Sequence, residues 1–90
     1  MRILKFTVKK FEGLNSRASK EIAKKCEQFT SEIYMSCNDE RIVNGKKPYG
    51  IESLGLHGMH SSVTVTIIIR GSDEDTAYES LQSFFEEEKY

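Results

Sequence analysis

The chain has 90 residues, a length that allows one small hydrophobic core. Hydrophobic residues make up 38% of it, which indicates a folded rather than a disordered chain, and no apolar run is long enough to cross a bilayer. An alternating pattern begins directly after Met1, and no signal peptide is visible or expected. We therefore expect a single domain over residues 1–90 that is cytoplasmic and has no membrane partner.

The formal net charge is −1, but the charges are unevenly distributed. Residues 1–47 carry eleven basic and six acidic side chains, whereas residues 48–90 carry two basic and eight acidic ones. The two halves can steer an acidic partner protein, attract each other, or form ordinary solvated faces. Nucleic-acid binding is not predicted, because no aromatic residues are interleaved with a basic stripe.

The cysteines and histidines predict neither a disulfide nor a metal site. Cys26 falls on the apolar face of a predicted helix and Cys37 ends a predicted strand, so we interpret both as free thiols. A stable zinc site needs three or four ligands, and the loop that holds His57 and His60 contains no cysteine, aspartate or glutamate. No cofactor is predicted.

The first predicted elements are a strand and a helix. The strand has an apolar residue at every second position: Leu4, Phe6 and Val8. The helix is predicted over about residues 16–28, with Asn15 or Ser16 supplying a capping oxygen. Its apolar face consists of Ala18, Ile22, Cys26 and Phe29.

Two strands and a short helix follow. The second strand points Ile33, Met35 and Cys37 inward, and a turn at residues 38–40 leads to a third strand over residues 41–43. A short helix is predicted near residues 47–54, because Pro48 suits a first helical turn. Residues 55–62 are expected to form a loop.

A fourth strand and a last helix complete the pattern. The strand alternates over Val63, Val65, Ile67 and Ile69. Ser72 or Asp73 is expected to cap the helix, whose apolar stripe consists of Ala77, Leu81, Phe84 and Phe85. The order of elements predicts an α+β fold, with helices covering one face of an antiparallel sheet.

Three motifs connect the chain to a known family. Residues 13–18 read Gly-Leu-Asn-Ser-Arg-Ala, which resembles the Gly-Leu/Ile-His-x-Arg-Pro-Ala signature of HPr, the histidine-containing phosphocarrier of the bacterial sugar phosphotransferase system. Residues 43–54 resemble the family's Val-Asn-Ala-Lys-Ser-Ile-Met-Gly-Val/Leu-Met-Ser-Leu, and residues 71–77 its Gly-x-Asp-Glu-x-x-Ala. The resemblance implies an open-faced β-sandwich, in which three helices cover one face of a four-stranded antiparallel sheet.

The resemblance also implies that two activity-bearing positions have changed. Asn15 occupies the phosphohistidine position, and Lys47 the regulatory serine position of Gram-positive HPr proteins. The amide nitrogen of Asn15 has no free lone pair to accept a phosphoryl group, and Lys47 has no hydroxyl. We therefore expect that the chain is not an enzyme and has no catalytic residue. In this family, the catabolite-repression HPr paralogue also lacks the histidine but keeps the serine.

A partner- and anion-binding surface is implied by the same resemblance. Arg17 would lie beside the helix amides and offer guanidinium donors to an anion, or it is simply a solvated first-turn residue. The residues expected on this surface are Asn15, Ser16, Arg17, Lys20, Lys24, Lys47, Tyr49 and Ile51.

The function predicted from these features is a non-catalytic binding or regulatory module that acts by protein contact. The partners implied are components of the phosphotransferase system or of transcription regulation. The first alternative is a phosphocarrier that uses an unconventional acceptor such as His57 or His60. The second is an oligomerisation domain that pairs through the open face of the sheet. The sequence does not fix the oligomeric state.

Overall fold

A computed structural model of the protein describes residues 1–8, 16–37, 41–54 and 63–88. Four strands and three helices lie within them, in the predicted order. They are β1 (Arg2–Val8), α1 (Ser16–Cys26), β2 (Glu32–Cys37), β3 (Arg41–Asn44), α2 (Pro48–Glu52), β4 (Val63–Arg70) and α3 (Glu74–Glu88). The turn expected at residues 38–40 and the loop expected at residues 55–62 lie outside the described residues.

The strands form one antiparallel sheet in the order β1-β4-β2-β3. In β4, which lies between β1 and β2, Ile67 is opposite both Leu4 and Met35. β3 adds to the far side of β2, where Val43 is opposite Met35. The three helices cover one face of this sheet, so the predicted open-faced α+β sandwich is confirmed.

The core lies between the helices and the covered face of the sheet. The strands contribute every second residue, as alternation requires. The fully or nearly fully buried apolar side chains include Leu4, Val8, Ile33, Met35, Val43, Val65, Ile67 and Ile69 from the strands and Ala18, Ile22, Cys26, Ala77, Leu81 and Phe85 from α1 and α3. Phe6 and Phe85 stack with their ring centroids 4.1 Å apart, which joins β1 to α3.

The first helix ends two residues earlier than predicted. α1 ends at Cys26, and the backbone N–H groups of Gln28 and Phe29 donate to the carbonyl oxygens of Lys25 and Cys26, each at 3.2 Å. These three-residue steps are typical of the tightened final turn of a helix. They turn the chain toward β2.

None of the helices in the described part of the chain is both long and apolar enough to cross a membrane.

Candidate functional site

Arg17 lies on the outward side of the first turn of α1. Its side chain is 89% exposed, and its Nε donates to Oε1 of Glu21 at 3.2 Å. Ion pairs this exposed contribute little, so an anion in solution can replace Glu21 as the partner of the guanidinium. Asn15 lies outside the described residues, as does the side chain of Ser16, although α1 begins at Ser16.

Lys20 and Lys24 extend the cationic side of α1. They follow Arg17 by three and seven residues, a spacing that places all three on one helix face, and both are exposed. No carboxylate in the described ranges forms an ion pair with either lysine. The opposite face of α1 is buried in the core.

Lys47 is the residue immediately before α2. Its backbone is extended, with φ −116° and ψ 114°, and Pro48 starts the helix. The Lys47 carbonyl oxygen accepts a hydrogen bond from the N–H of Ile51 at 3.2 Å, whereas its side chain makes no capping bond. Lys47 is exposed, so its ammonium is available to a partner.

Tyr49 and Ile51 lie on opposite sides of α2. Tyr49 is 85% exposed, whereas Ile51 is fully buried. Two residues correspond to about 200° of rotation around a helix, so these two side chains cannot share a face. The prediction that Ile51 belongs to the binding surface is therefore wrong: Ile51 is a core residue, because α2 packs against α1 and β3.

A lysine that sequence reasoning did not single out fixes α2 relative to α1. Lys46 Nζ donates to the carbonyl oxygen of Phe29 at 2.7 Å, and its backbone N–H donates to Oδ1 of Asn44 at 2.9 Å. The first bond satisfies a carbonyl beyond the end of α1. No local pattern signals a contact between residues 17 positions apart in the chain.

Helices α1 and α2 contact each other, and we call their exposed cations and exposed ring, with the residue before α2, the α1–α2 surface: Arg17, Lys20, Lys24, Lys47 and Tyr49. It combines four cations with one exposed aromatic ring, and Glu21 is the one acidic residue of α1. Such a surface suits carboxylate or phosphate groups and an apolar contact. No group of three or more possible metal ligands occurs in residues 1–8, 16–37, 41–54 and 63–88.

An open-faced sandwich of this topology, with a short helix packed beside the first one, is the class of fold that the resemblance to HPr proteins implies. The family model described as "PTS HPr component phosphorylation site" matches residues 4–87. The chain belongs to the HPr family.

Relatives and solved structures agree with this assignment. The chain is 37% identical over 81 residues to the HPr-like protein Crh of Halalkalibacterium halodurans, an alignment that covers 90% of this chain and 92% of that one. The crystal structure of HPr-C-His from Thermoanaerobacter tengcongensis matches with a TM-score of 0.82 and 28% identity, over 96% of this chain and 92% of that one. Crh of Bacillus subtilis matches with a TM-score of 0.68 and 31% identity, over 90% and 88% of the two chains, and is described as a swapped, intertwined dimer.

Proposed function

We propose that this chain is a non-catalytic HPr-like module that binds a protein partner through the α1–α2 surface. The observation that carries the proposal is the position of Tyr49, a large aromatic side chain that is 85% exposed and lies two residues after the exposed Lys47. Tyrosine and arginine are enriched at the centres of protein interfaces, and this surface contains one of each.

The module is non-catalytic because Asn15 stands where the resemblance places the phosphoryl-accepting histidine. An amide cannot replace imidazole as the nucleophile. Two similar proteins, from Halalkalibacterium halodurans and Bacillus subtilis, are named HPr-like protein Crh, and the second is known as a catabolite repression protein. These names support a regulatory role rather than a phosphoryl-carrying one.

The partner is a protein with an acidic surface, either a component of the phosphotransferase system or a transcription-regulatory protein. Arg17, Lys20 and Lys47 favour carboxylate groups, and Tyr49 favours an apolar or aromatic neighbour. The cations would accelerate association and make binding sensitive to salt.

Reversal of two charges on the α1–α2 surface tests this proposal. The variant R17E/K47E is expected to lose partners that the wild-type chain retains in affinity capture from the source cell. The variant K5E/R41E makes the same charge change at exposed positions of β1 and β3 and is the matched control, since it should keep those partners. Retention of every partner by R17E/K47E would overturn the assignment of this surface.

The second candidate function is a phosphocarrier with an unconventional acceptor. It is favoured by the matching family model, which is named for a phosphorylation site. Incubation with phosphoenolpyruvate and enzyme I of the same cell separates the two functions. A non-catalytic module takes up no label, whereas Asn15→His gains acid-labile label if docking on enzyme I has been kept. Acid-labile label on wild-type His57 or His60 would support the carrier instead.

A further inference from the structure

The two long helices on the covered side of the sheet carry opposite charge. α1 contains four basic side chains and one acidic one, a formal charge of +3. α3 contains six acidic side chains and no basic one, a formal charge of −6. Because α1 and α3 contact each other on the same side of the sheet, this side has a basic half and an acidic half.

A groove runs between these halves and is open to solvent. Its volume is about 370 Å³, and it is lined by Glu21, Lys24, Lys25, Gln28 and Phe84. Phe84 is half-buried and meets the ring of Phe85 edge-on, with the ring centroids 5.3 Å apart. The groove therefore offers an apolar contact from α3 beside the ammonium groups of α1.

The outward charges of the two helices have matching spacing. Arg17 and Lys24 are seven residues apart on α1, and Glu79 and Glu86 are seven residues apart on α3. Seven residues span about 10.5 Å along a helix and bring the side chains back to nearly the same face. All four residues are exposed, and Lys24, Glu79 and Glu86 form no ion pair with the described residues.

We propose that the occupant of this helical side is a second copy of the chain, related by a twofold axis that runs along the boundary between α1 and α3. Such an axis places α1 of each copy against α3 of the other, so that both contacts join opposite charges. A twofold axis across the helices would instead place α1 on α1 and α3 on α3, which like charges oppose. Charge complementarity thus selects one of the two symmetric arrangements.

The dimer is reversible and sensitive to salt. Its contacts are ion pairs at an exposed surface, with Phe84 of each copy near the axis as the main apolar contribution. Screening weakens contacts of this kind strongly as ionic strength rises. The dimer covers Arg17, Lys20 and Lys24, so self-association would compete with the partner proposed for the α1–α2 surface. The dimer itself does not depend on that partner.

Sedimentation equilibrium of the full chain tests this inference directly. We expect a monomer–dimer equilibrium whose dissociation constant rises at least about tenfold between about 0.02 M and about 0.5 M NaCl. A wild-type chain that stays monomeric at low salt, up to concentrations of about 1 mM, would overturn the proposed dimer. Association weaker than this would not indicate a specific contact.

Charge-swap variants locate the contact. K20E/K24E/K25E changes the formal charge of α1 from +3 to −3, and E79K/E86K/E87K/E88K changes that of α3 from −6 to +2. Each variant alone would then join like charges and should be monomeric. An equimolar mixture should form a heterodimer, because both of its contacts again join opposite charges. K5E/R41E, which changes two exposed cations outside the helices, should dimerise like the wild type. Dimers that persist in both charge-swap variants would place the contact elsewhere and contradict the inference.

The variant that adds lysines to α3 also separates this inference from the proposed function. The four glutamates at positions 79 and 86–88 lie outside the α1–α2 surface, so E79K/E86K/E87K/E88K should lose self-association while still binding the partner. The lysines introduced at positions 86–88 lie in the last turn of α3, where cations interact favourably with the helix dipole. Loss of folding is therefore not expected, and circular dichroism checks it.

Discussion

Oδ1 of Asp73 accepts hydrogen bonds from both the backbone N–H and the hydroxyl of Ser31, and the N–H bond measures 2.9 Å. Oδ2 of the same carboxylate accepts the N–H of Thr30 at 2.8 Å. Ser31 and Asp73 are 42 positions apart, so the Asp73 side chain joins the segment after α1 to the start of α3. Because Ser31 is buried, water cannot replace the lost partner when the carboxylate is removed.

Asp73 makes the stability of the fold sensitive to acid. The Ser31 hydroxyl, followed by the Thr30 N–H, holds the pKa of Asp73 below its ordinary value of 3.8. A lowered folded-state pKa gives stability that is present above the unfolded-state pKa and is lost as the pH falls through the folded-state value. We therefore expect Asp73→Asn to be less stable than wild type near neutral pH and to lose less stability below about pH 4.

Urea denaturation at a series of pH values measures this difference. Hydrogen bonds also lower the pKa of Glu74 and Glu32, so the acid dependence of Asp73→Asn should be reduced rather than abolished. Asp75→Asn is the control, since Asp75 lies on the surface in an ion pair with Arg2 and makes no bond to Ser31. Equal acid slopes for wild type and Asp73→Asn would contradict the role assigned to the carboxylate.

Gly71 lies against the other side of Ser31 and cannot be replaced without strain. Its φ is +155°, and a Cβ built on it would lie 2.6 Å from Ser31 Oγ and 2.7 Å from Ser31 Cα. Gly71→Ala is expected to lower the free energy of unfolding by at least about 2 kcal/mol, because both the backbone angle and the space are unsuitable. Urea denaturation measures the loss, and Ser72→Ala at the exposed next position should change stability little. A neutral Gly71→Ala would show that this turn can relax.

Periodicity was enough to predict the order and type of the elements. Alternation in β1 and β4 identifies the inward residues, as shown by Leu4 and Ile67, because one face of an antiparallel sheet is buried. In α1 the spacing of Ile22 and Cys26 does the same for the helix. These patterns are local and repeat, so they do not depend on which elements pack together.

Asp73 and Ile51 show where local patterns fail. Asp73 lies directly before α3, as expected for a cap, and its carbonyl oxygen accepts the N–H of Ala77 at 2.9 Å. Its carboxylate, however, accepts the N–H groups of Thr30 and Ser31, partners that no local rule identifies. α2 has five residues, too few for a hydrophobic period, so the side of Ile51 is decided by how α2 docks on α1 and β3. The same dependence on packing conceals the bond from Lys46 to Phe29.

A pair of variants in α2 separates core from surface. Ile51→Ala removes a fully buried side chain and is expected to lower the free energy of unfolding by about 2–4 kcal/mol. Tyr49→Ala, two residues away at an exposed position, should change it by less than about 0.5 kcal/mol. The amount of partner retained in affinity capture should fall more for Tyr49→Ala than for Ile51→Ala. A large loss of stability for Tyr49→Ala would contradict its place on the surface.

The two thiols should differ sharply in reactivity. Cys26 is fully buried, and this desolvation raises the pKa of its thiol to about 12. Since the thiolate is the reactive form, alkylation of Cys26 near pH 8 should require unfolding, whereas the half-buried Cys37 should react from the folded state. Mass spectrometry of iodoacetamide-treated protein is expected to show Cys26 modified slower than Cys37, by on the order of a hundredfold. In urea the two rates should converge, and equal rates in the folded protein would contradict the burial of Cys26.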